Sequence, residues 1–390
     1  MVAAEAPGAG KTVEAVIVGA GPAGDAVAAG LIDGDFNGLI TLIGSEQEMP
    51  YERPHLSKGY LLGTVSRDGL ALRPPEQYRK RIVVMRGERI VRIDLEREEL
   101  TFESGRVLEW DLLCMATGSD ARRLEGFPDA TYLRELADAD RLKARIDRGD
   151  ALEIIGAGFI GCEVAAVARR RGCEVTVHEA LEQPLVRVLG HELGGYIGQV
   201  HRERGVDLRL NAETPSGADL VAIGSKPRTE LAERAGLEVD RGIVVDELGR
   251  TSADGVFAAG DVTRFSHPLY GTRVRVEHFQ TSQRQGFAVG RTMAGAETAY
   301  TEVPWFWSDQ YDLNLQYAGA GLPWDEIAVR GELGKPPFTV FYLRGGELVA
   351  AAGVNDHHTL ARARRVMETR RDVTRAQLED PNFDLRRALA

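Results

Sequence analysis

A glycine pattern that follows a short apolar run and opens a helical stretch occurs twice in this chain, about 137 residues apart. The two copies have the same spacing: Gly19, Gly21 and Gly24 in the first, and Gly156, Gly158 and Gly161 in the second. The flanking apolar runs, at residues 13–18 and 39–43 and again at 151–155 and 174–178, predict parallel strands joined by a right-handed crossover. A repeat this long indicates a domain duplication, because solenoid repeats run to ~20–50 residues.

Each glycine in this spacing has its own physical task. The first permits a tight turn, the second lets a pyrophosphate approach the backbone, and the third lets the helix pack on the strand. The free amides at the helix N-terminus then bind the anion. Glycines that serve packing alone are the alternative, but the strand-turn-helix context favours a dinucleotide site in each copy.

Glu179 stands at the end of the strand that follows the second motif. A carboxylate there accepts both ribose hydroxyls and repels a 2′-phosphate, which predicts NAD rather than NADP; a solvated acid at a strand end is the alternative. We call each glycine motif, with the helix N-terminus that follows it, a cradle. One cofactor would not need two cradles. We therefore predict FAD in the first site and NADH in the second, with NADPH less favoured, so that a hydride passes between two facing cofactors.

The last ninety or so residues change character. Apolar runs at 338–343 and 348–352 flank Gly345 and Gly346, which is typical of a hairpin, and a basic helix is predicted at 359–369. The predicted fold class is therefore α/β, with two Rossmann-like dinucleotide-binding domains and a C-terminal α+β domain.

Charge and hydropathy exclude several classes of protein. The formal net charge of −11 repels nucleic acid and anionic lipid, and no apolar run reaches the ~20 residues that span a bilayer. The three cysteines, Cys114, Cys162 and Cys173, form no C-x-x-C pair, which favours a reduced, cytoplasmic chain and disfavours a dithiol redox couple. We expect neither nucleic-acid nor membrane partners.

Two stretches resemble functional motifs but lack residues that those motifs require. Residues 8–12 resemble a phosphate loop, but Glu5 occupies the position that requires glycine, and no strand precedes it. His357 and His358 lack metal-ligand spacing, so no metal site is expected. Residues 1–12 also lack the basic and apolar regions of a secretory signal, and we expect a frayed arm there.

Five ordered motifs resemble the FAD-dependent ferredoxin–NAD(P)H reductases, the reductase components of bacterial Rieske oxygenase and cytochrome P450 systems, which are related to the apoptosis-inducing-factor flavoproteins. The motifs are Pro-Tyr-Glu-Arg-Pro-His-Leu-Ser-Lys at 50–58, Ala-Thr-Gly at 116–118, Gly-Phe-Ile-Gly-Cys-Glu at 158–163, Val-Phe-Ala-Ala-Gly-Asp at 256–261 and Trp-Phe-Trp-Ser-Asp-Gln at 305–310. The resemblance implies that the two Rossmann-like domains are of the FAD/NAD(P) disulfide-reductase type. It also implies an FAD domain (1–118 and 236–300) interrupted by an NAD domain (119–235), and a C-terminal reductase domain (301–390).

The resemblance also assigns residues to roles. Lys58 would lie near flavin N5 and Glu163 beside the nicotinamide carboxamide, and the two are expected to pair as the catalytic residues. The positive charge of Lys58 would stabilise the reduced flavin.

Further FAD-binding residues follow from the same motifs. Asp261 would bind the ribityl or phosphate region, Arg53 the ribose or pyrophosphate, and Trp307 would stack near the isoalloxazine. The remaining candidates are Thr117, in the Ala-Thr-Gly motif, and Glu277, His278 and Phe279, which would line the pyrimidine edge of the flavin.

The chain departs from the family pattern at three places. Ser45 occupies the usual position of the ribose-binding acid, for which Glu46 is expected to substitute. Phe279 stands where many relatives have tryptophan. Only about forty residues separate Glu179 from the apolar run at 218–224, around twenty fewer than usual, so a strand pair is expected to be missing and residues 213–217 to close the gap.

These observations favour an NADH-dependent flavoprotein reductase that passes single electrons to a [2Fe-2S] ferredoxin. The alternatives are an NADH oxidase, a biosynthetic FAD enzyme acting on a small molecule, and a slow-turnover flavoprotein that binds a partner. A homodimer is possible within this reading. Ferredoxins are commonly acidic, which makes a group of C-terminal arginines candidates for docking: Arg362, Arg364, Arg365, Arg370 and Arg371.

Overall fold

The computed structural model describes residues 13–78 and 81–389. The expectations for residues 1–12, a frayed arm and the absence of a phosphate loop at 8–12, lie outside the described residues. Within the described part, the elements separate into units built on their own sheets.

The first unit starts with the first glycine motif and is completed by a later part of the chain. Its opening elements are β1 (Glu14–Val18), α1 (Pro22–Asp33), β2 (Leu39–Gly44), α2 (Gly59–Leu62), β3 (Ile82–Arg86), β4 (Ile90–Asp94), β5 (Glu99–Phe102), β6 (Val107–Glu109) and β7 (Leu112–Met115). The strands β4, β5 and β6 form a small antiparallel sheet, while β1, β2, β3 and β7 belong to a parallel one.

The second unit repeats the strand-turn-helix arrangement. Its elements are β8 (Ser119–Ala121), α3 (Leu136–Arg148), β9 (Leu152–Ile155), α4 (Phe159–Arg170), β10 (Val175–His178), α5 (Val186–Glu203), β11 (Asp207–Arg209), β12 (Leu220–Val221), β13 (Ser225–Pro227) and α6 (Glu230–Arg234). Its parallel sheet has the order β11-β10-β9-β12, and β8 pairs with β13 in a separate two-stranded sheet.

The chain then returns to the first unit. The returning elements are β14 (Ile243–Val245), β15 (Val256–Ala258), β16 (Thr263–His267), β17 (Thr272–Val274) and α7 (Phe279–Met293). Strand β15 joins the edge of the first parallel sheet, which becomes β15-β7-β1-β2-β3, and β14, β16 and β17 form a sheet of their own. Helix α7 packs tightly on α1, because a side chain at Gly30 or Gly290 would lie 2.1 Å from a backbone oxygen of the other helix.

The last unit is an antiparallel sheet with helices. Its elements are β18 (Trp305–Gln310), β19 (Leu313–Gly319), β20 (Glu326–Glu332), β21 (Lys335–Arg344), β22 (Glu347–Val354), α8 (His357–Glu368) and α9 (Arg375–Glu379). Neighbouring side chains of β21 point to opposite faces of the sheet and pack into two different cores. Tyr342 packs with the second unit, and Phe341 packs with the cluster that includes α8. The sheet is therefore buried on both sides, and the predicted fold class is confirmed.

In the second parallel sheet, strands β10 and β11 have helices packed on one face, and their other face is open. Val175 and Val177 point into the core with the helices, whereas Thr176, between them on β10, is only partly buried and Asp207 on β11 is exposed. Most parallel sheets are covered on both faces. Here alternation of apolar and polar residues makes an open face compatible with water, and the link from β11 to β12, residues 210–219, contains no strand.

Candidate functional site

Both glycine motifs open onto one cavity of about 840 Å³. Its walls come from the first unit, the second unit and the last unit. The predicted site residues that line it are Gly19, Gly21, Glu46, Arg53, Lys58, Thr117, Gly156, Gly158, Glu163, Glu179, Asp261, Glu277, His278, Phe279 and Trp307. Gly24 and Gly161 lie outside the lining, where they pack a helix against a turn.

The three glycines of each motif differ in their surroundings. A Cβ on Gly24 would lie 1.9 Å from the Gly19 oxygen, and a Cβ on Gly161 would lie 2.0 Å from the Gly156 oxygen, so both positions require close backbone contact. By contrast, a Cβ on Gly21 would have nothing within 4 Å. The helix N-terminus therefore has space in front of it that a side chain would occupy and a phosphate group fits.

Lys58 and Glu163 form an ion pair on the cavity wall, as the resemblance predicts. The Lys58 Nζ lies 2.8 Å from the Glu163 Oε2, with the side chains 12% and 4% exposed. The carboxylate also accepts hydrogen bonds from Ser57 and, at 2.7 Å, from the Ser308 Oγ. Three donors thus fix the orientation of a buried carboxylate, which sequence motifs alone did not show.

Asp261 is held at the end of β15 by two donors. Arg134 Nη2 contacts one carboxylate oxygen at 3.1 Å, and Ser282 Oγ donates to the other at 2.7 Å. A carboxylate has further acceptor sites beyond these, so it can still receive ribityl hydroxyls. Arg134 lines the same cavity but belongs to none of the five motifs.

Glu46 and Arg53, both proposed for the FAD site, contact each other. The Arg53 guanidinium lies 2.6 Å from one Glu46 oxygen, and the Tyr51 hydroxyl donates to the other at 2.6 Å. Arg53 also donates to the Arg134 carbonyl at 2.8 Å. This arrangement orients both charged side chains along the wall, beside Ser45.

The segment from Glu277 to Phe279 lies where α7 begins. Helix α7 starts at Phe279, because His278 has extended backbone angles. Ser225 and Arg275 both donate to Glu277, while the Thr117 hydroxyl donates to the Arg228 carbonyl at 2.9 Å. These contacts join the first and second units at the cavity.

Aromatic rings form the remaining wall. Phe279 meets Trp307 edge to face with ring centroids 6.2 Å apart, and His278 packs on Phe306 at 4.5 Å. The His278 Nδ1 is buried and has no hydrogen-bond partner within the described residues. Buried polar atoms in proteins normally have a hydrogen-bond partner, and a polar ring bound in the cavity would supply one to this nitrogen.

Glu179 is oriented by the backbone of the second glycine motif. The Ala157 amide donates to one carboxylate oxygen at 2.7 Å, and the Leu181 amide donates to the other at 3.0 Å. The side chain is therefore fixed at the end of β10, next to the N-terminus of α4. The residues present thus fit a dinucleotide in each cradle: open space at Gly21 and Gly158, an acid at the second strand end and an unpaired nitrogen in the aromatic wall.

Burial of His278 predicts a pH dependence of stability. Burial lowers the pKa of His278 from 6.5 to about 4, although Asp261 acts in the opposite direction. The unfolded chain binds a proton as the pH falls through 6.5, while the folded chain does so only near 4, so stability falls as the pH is lowered across that window. We expect the apoprotein to lose about 2 kcal/mol between pH 6.5 and 5 through this group alone, at ~1.4 kcal/mol per unit.

Urea unfolding of the apoprotein at the two pH values measures this loss. A His278→Gln variant should lose about 2 kcal/mol less stability over the same interval. His358→Gln is the matched control, because His358 is exposed. Equal pH slopes for the wild type and His278→Gln would contradict the prediction.

Three of the five candidate docking arginines form ion pairs within the chain, sharing two carboxylates. Arg364 and Arg365 pair with Glu368, and Arg362 lies 3.7 Å from Asp384. Arg370 donates to the carbonyls of residues 268 and 269. Helix α8 therefore presents less free positive charge than its sequence indicates.

The described residues contain neither a helix that could span a membrane nor a cluster that could hold a metal ion. No helix among them is long and apolar enough to cross a bilayer. The same residues contain no cluster of three or more histidine, cysteine or acidic side chains placed to hold a metal ion.

Two nucleotide cradles that open onto one cavity, with an ion pair on its wall, fit an oxidoreductase that binds two dinucleotides. Comparison with known proteins gives the family. Residues 13–218 and 217–286 match the family described as pyridine nucleotide-disulphide oxidoreductase, and residues 305–389 match the reductase C-terminal domain. The chain belongs to this family and is an FAD-dependent oxidoreductase.

Relatives cover nearly the whole chain. It is 37% identical to rhodocoxin reductase of Rhodococcus erythropolis, covering 96% of this chain and 94% of that protein. It is 40% identical to the ferredoxin–NAD(+) reductase component of an anthranilate 1,2-dioxygenase system of Burkholderia cepacia, covering 95% and 98%. The crystal structure of a covalent putidaredoxin reductase–putidaredoxin complex superposes with a TM-score of 0.92 at 33% identity, covering 97% and 98%.

These comparisons confirm the resemblance to ferredoxin–NAD(P)H reductases and imply FAD and NAD(P)H as cofactors. The two segments of the family match meet at 217–218, in the strand-free link between β11 and β12. No strand pair lies in this link, as the sequence predicts.

Proposed function

We propose that this chain is an NADH-dependent flavoprotein reductase that passes single electrons to a [2Fe-2S] ferredoxin serving an oxygenase or a cytochrome P450. The observation that carries the proposal is that both cradles and the Lys58–Glu163 pair line one cavity. FAD, when bound, accepts a hydride and can release the two electrons one at a time. The protein supplies binding, orientation and charge.

Each cradle has groups suited to one nucleotide. In the first, the N-terminus of α1 faces a phosphate, and Asp261 and Arg53 lie along the wall for the ribityl chain and pyrophosphate. In the second, Glu179 is set to accept ribose hydroxyls. Lys58 places a positive charge between the two, where it would stabilise negative charge on the reduced ring.

The cysteines favour an acceptor outside the chain. Cys114, Cys162 and Cys173 are all buried and free, and burial raises the pKa of the Cys114 and Cys162 thiols. Thiol exchange requires an accessible thiolate and a second thiol within reach. A disulfide couple therefore does not fit this site, despite the name of the family.

A one-electron protein partner agrees with the relative that is named as the ferredoxin–NAD(+) reductase component of a dioxygenase system. Ferredoxin is proposed here as the partner. The buried thiols also fit the cytoplasm as the proposed location, and a homodimer remains part of the proposal.

The proposal is tested by NADH-driven reduction of cytochrome c, with and without a set of [2Fe-2S] ferredoxins. We expect ferredoxin to raise the rate by at least about tenfold, because reduction of the ferredoxin then carries the electrons. An equal rate without ferredoxin contradicts the proposed partner. Rapid consumption of oxygen would indicate an NADH oxidase, and turnover that depends on a small organic substrate would indicate a biosynthetic enzyme.

Glu179 should set the preference for NADH over NADPH. The Glu179→Gln substitution removes the charge but keeps an acceptor for a backbone amide. We expect the ratio of kcat/KM for NADH to that for NADPH to fall by about 10- to 100-fold, because a charge-assisted hydrogen bond contributes ~1.5–3 kcal/mol.

The matched control is Glu182→Ala, which removes an exposed acid that lies outside the cavity lining. Steady-state kinetics with both nucleotides give the ratio. An unchanged ratio in Glu179→Gln would mean that another group selects the nucleotide.

A further inference from the structure

A continuous row of buried hydrogen bonds leads away from the catalytic ion pair. Ser308 Oγ donates to Glu163 Oε1 at 2.7 Å, and Gln310 Nε2 donates to Ser308 Oγ at 3.0 Å. The Gln310 Oε1 lies 2.9 Å from His201 Nε2, and the Tyr311 hydroxyl lies 3.1 Å from His201 Nδ1. The three inner members, Ser308, Gln310 and His201, are at most 2% exposed.

The row has one consistent direction. A carboxylate only accepts hydrogen bonds, so Ser308 must donate to Glu163 and accept from the Gln310 amide. The Gln310 carbonyl oxygen then accepts from His201 Nε2–H, which leaves Nδ1 to accept from Tyr311. Burial lowers the pKa of His201, which agrees with a neutral ring that carries a single N–H. Every donor therefore points toward Glu163.

The row crosses the boundaries between units. Lys58 belongs to the first unit, Glu163 and His201 lie on α4 and α5 of the second, and Ser308 and Gln310 lie on β18 of the last. Because side chains alternate along a strand, Ser308 and Gln310 share one face of β18. One network thus fixes the relation of three units at the point where the ion pair faces the cavity.

We propose that Ser308, Gln310 and His201 are positioning residues for the catalytic ion pair. They hold the Glu163 carboxylate in one orientation, and the carboxylate in turn holds the flexible Lys58 side chain at the cavity. The inference rests on the proposed function, in which this pair lies beside FAD. It adds three residues that touch neither nucleotide to the machinery of the reaction.

A purely structural role is the competing explanation. A buried polar network costs stability whenever one member is lost, wherever it lies. Such a loss would leave the properties of the bound flavin unchanged. A positioning role predicts instead that the flavin responds to a substitution that contacts neither the flavin nor Lys58.

The Gln310→Met variant distinguishes the two roles, because methionine keeps the length of the side chain and removes both hydrogen bonds. Its matched control is Thr339→Val: Thr339 is also buried in the last sheet, and its hydroxyl donates to Asp356 at 2.9 Å without a link to Glu163. The measured quantities are the reduction potential of the bound flavin, by chemical titration, and kcat and KM for NADH.

For Gln310→Met we expect the reduction potential of the bound flavin to fall by about 30 mV. This corresponds to a shift of about tenfold toward oxidised flavin in the two-electron equilibrium. We also expect kcat to fall about tenfold while KM for NADH changes by less than about twofold, because the nucleotide cradle is untouched. Ser308→Ala, which adds no volume to the core, should have an equal or larger effect and serves if Gln310→Met does not fold. Thr339→Val should leave both quantities unchanged.

Unfolding of the apoprotein tests the premise that Gln310 and Glu163 belong to one network, whichever role the network has. Glu163→Gln and Gln310→Met should be non-additive, with a coupling of about tenfold in the unfolding equilibrium constant, and additive effects would contradict the premise. If Gln310→Met and Ser308→Ala match Thr339→Val in potential and kcat, the inference is overturned. If NADH fails to reduce even the wild type, the proposed function is contradicted, and the chemically measured potentials still decide the inference.

Discussion

We expect Gly21→Val to give a folded but colourless protein, and Gly158→Val to give a yellow protein that NADH no longer reduces. The reason is the open space in front of each helix. A Cβ on Gly21 has no neighbour within 4 Å, and the one contact of a Cβ on Gly158 is 3.8 Å away. Both residues have negative φ and extended backbone, at −86° and −75°, so valine fits the chain without strain.

The valine side chains would occupy the space that a pyrophosphate needs. Losing two charge-assisted hydrogen bonds at ~1.5–3 kcal/mol each weakens nucleotide binding on the order of 100-fold or more. FAD affinity is measured by reconstitution of the apoprotein, and NADH reactivity by stopped-flow absorbance. The paired variants separate the two sites, because each should remove one nucleotide and leave the other.

The controls for this prediction come from other glycines. Gly217→Val should behave as the wild type, because Gly217 lies outside the cavity lining and a Cβ there has nothing within 4 Å. Gly24→Val should fail to fold, because its Cβ would lie 1.9 Å from the Gly19 oxygen. Full FAD binding by Gly21→Val, or normal reduction of Gly158→Val by NADH, would contradict the assignment of the cradles.

Replacing Lys58 with methionine should lower the rate of flavin reduction by NADH about 100-fold, because loss of one preorganised stabilising group at a reacting centre costs ~10²–10³ in rate. The same change leaves Glu163, which is buried, without its cation. Removing one partner of a buried ion pair costs ~3–5 kcal/mol of stability. Rate and stability should therefore both fall.

The double variant Lys58→Met/Glu163→Gln separates these effects. Removing the second charge should restore most of the lost stability, while the rate stays low because the positive charge is still absent. Lys226→Met is the control, since Lys226 is an exposed lysine that also pairs with a glutamate. Stopped-flow reduction and urea unfolding are the measurements, and recovery of the rate in the double variant would show that the Lys58 charge has no part in the reaction.

The sequence predicted the elements that depend on local pattern. The strand-turn-helix units around Gly19 and Gly156 follow from the apolar runs and the glycine spacing, because backbone contacts within a few residues impose them. The absence of a strand pair between β11 and β12 was also predictable, because it follows from a count of residues between two recognisable strands. The pairing of Lys58 with Glu163 came from the family resemblance and not from the pattern itself.

Other features depend on packing between distant parts of the chain. Arg134 reaches Asp261 across 127 residues, and His201 reaches Gln310 across 109. No local periodicity encodes such contacts, although alternation along β18 could have indicated that Ser308 and Gln310 share a buried face. The pairs of Arg364 and Arg365 with Glu368 are local to α8 and could have been read from the spacing, whereas the pair of Arg362 with Asp384 forms only in the folded chain.

The central claim is that one cavity brings two nucleotides close enough for electrons to pass between them. An anaerobic titration of the FAD-loaded protein with NADH tests it most directly. We predict that the visible absorbance of the oxidised flavin is lost in proportion to added NADH and is complete at one NADH per FAD. Flavin absorbance that persists in excess NADH, in protein shown to contain bound FAD, would contradict the account.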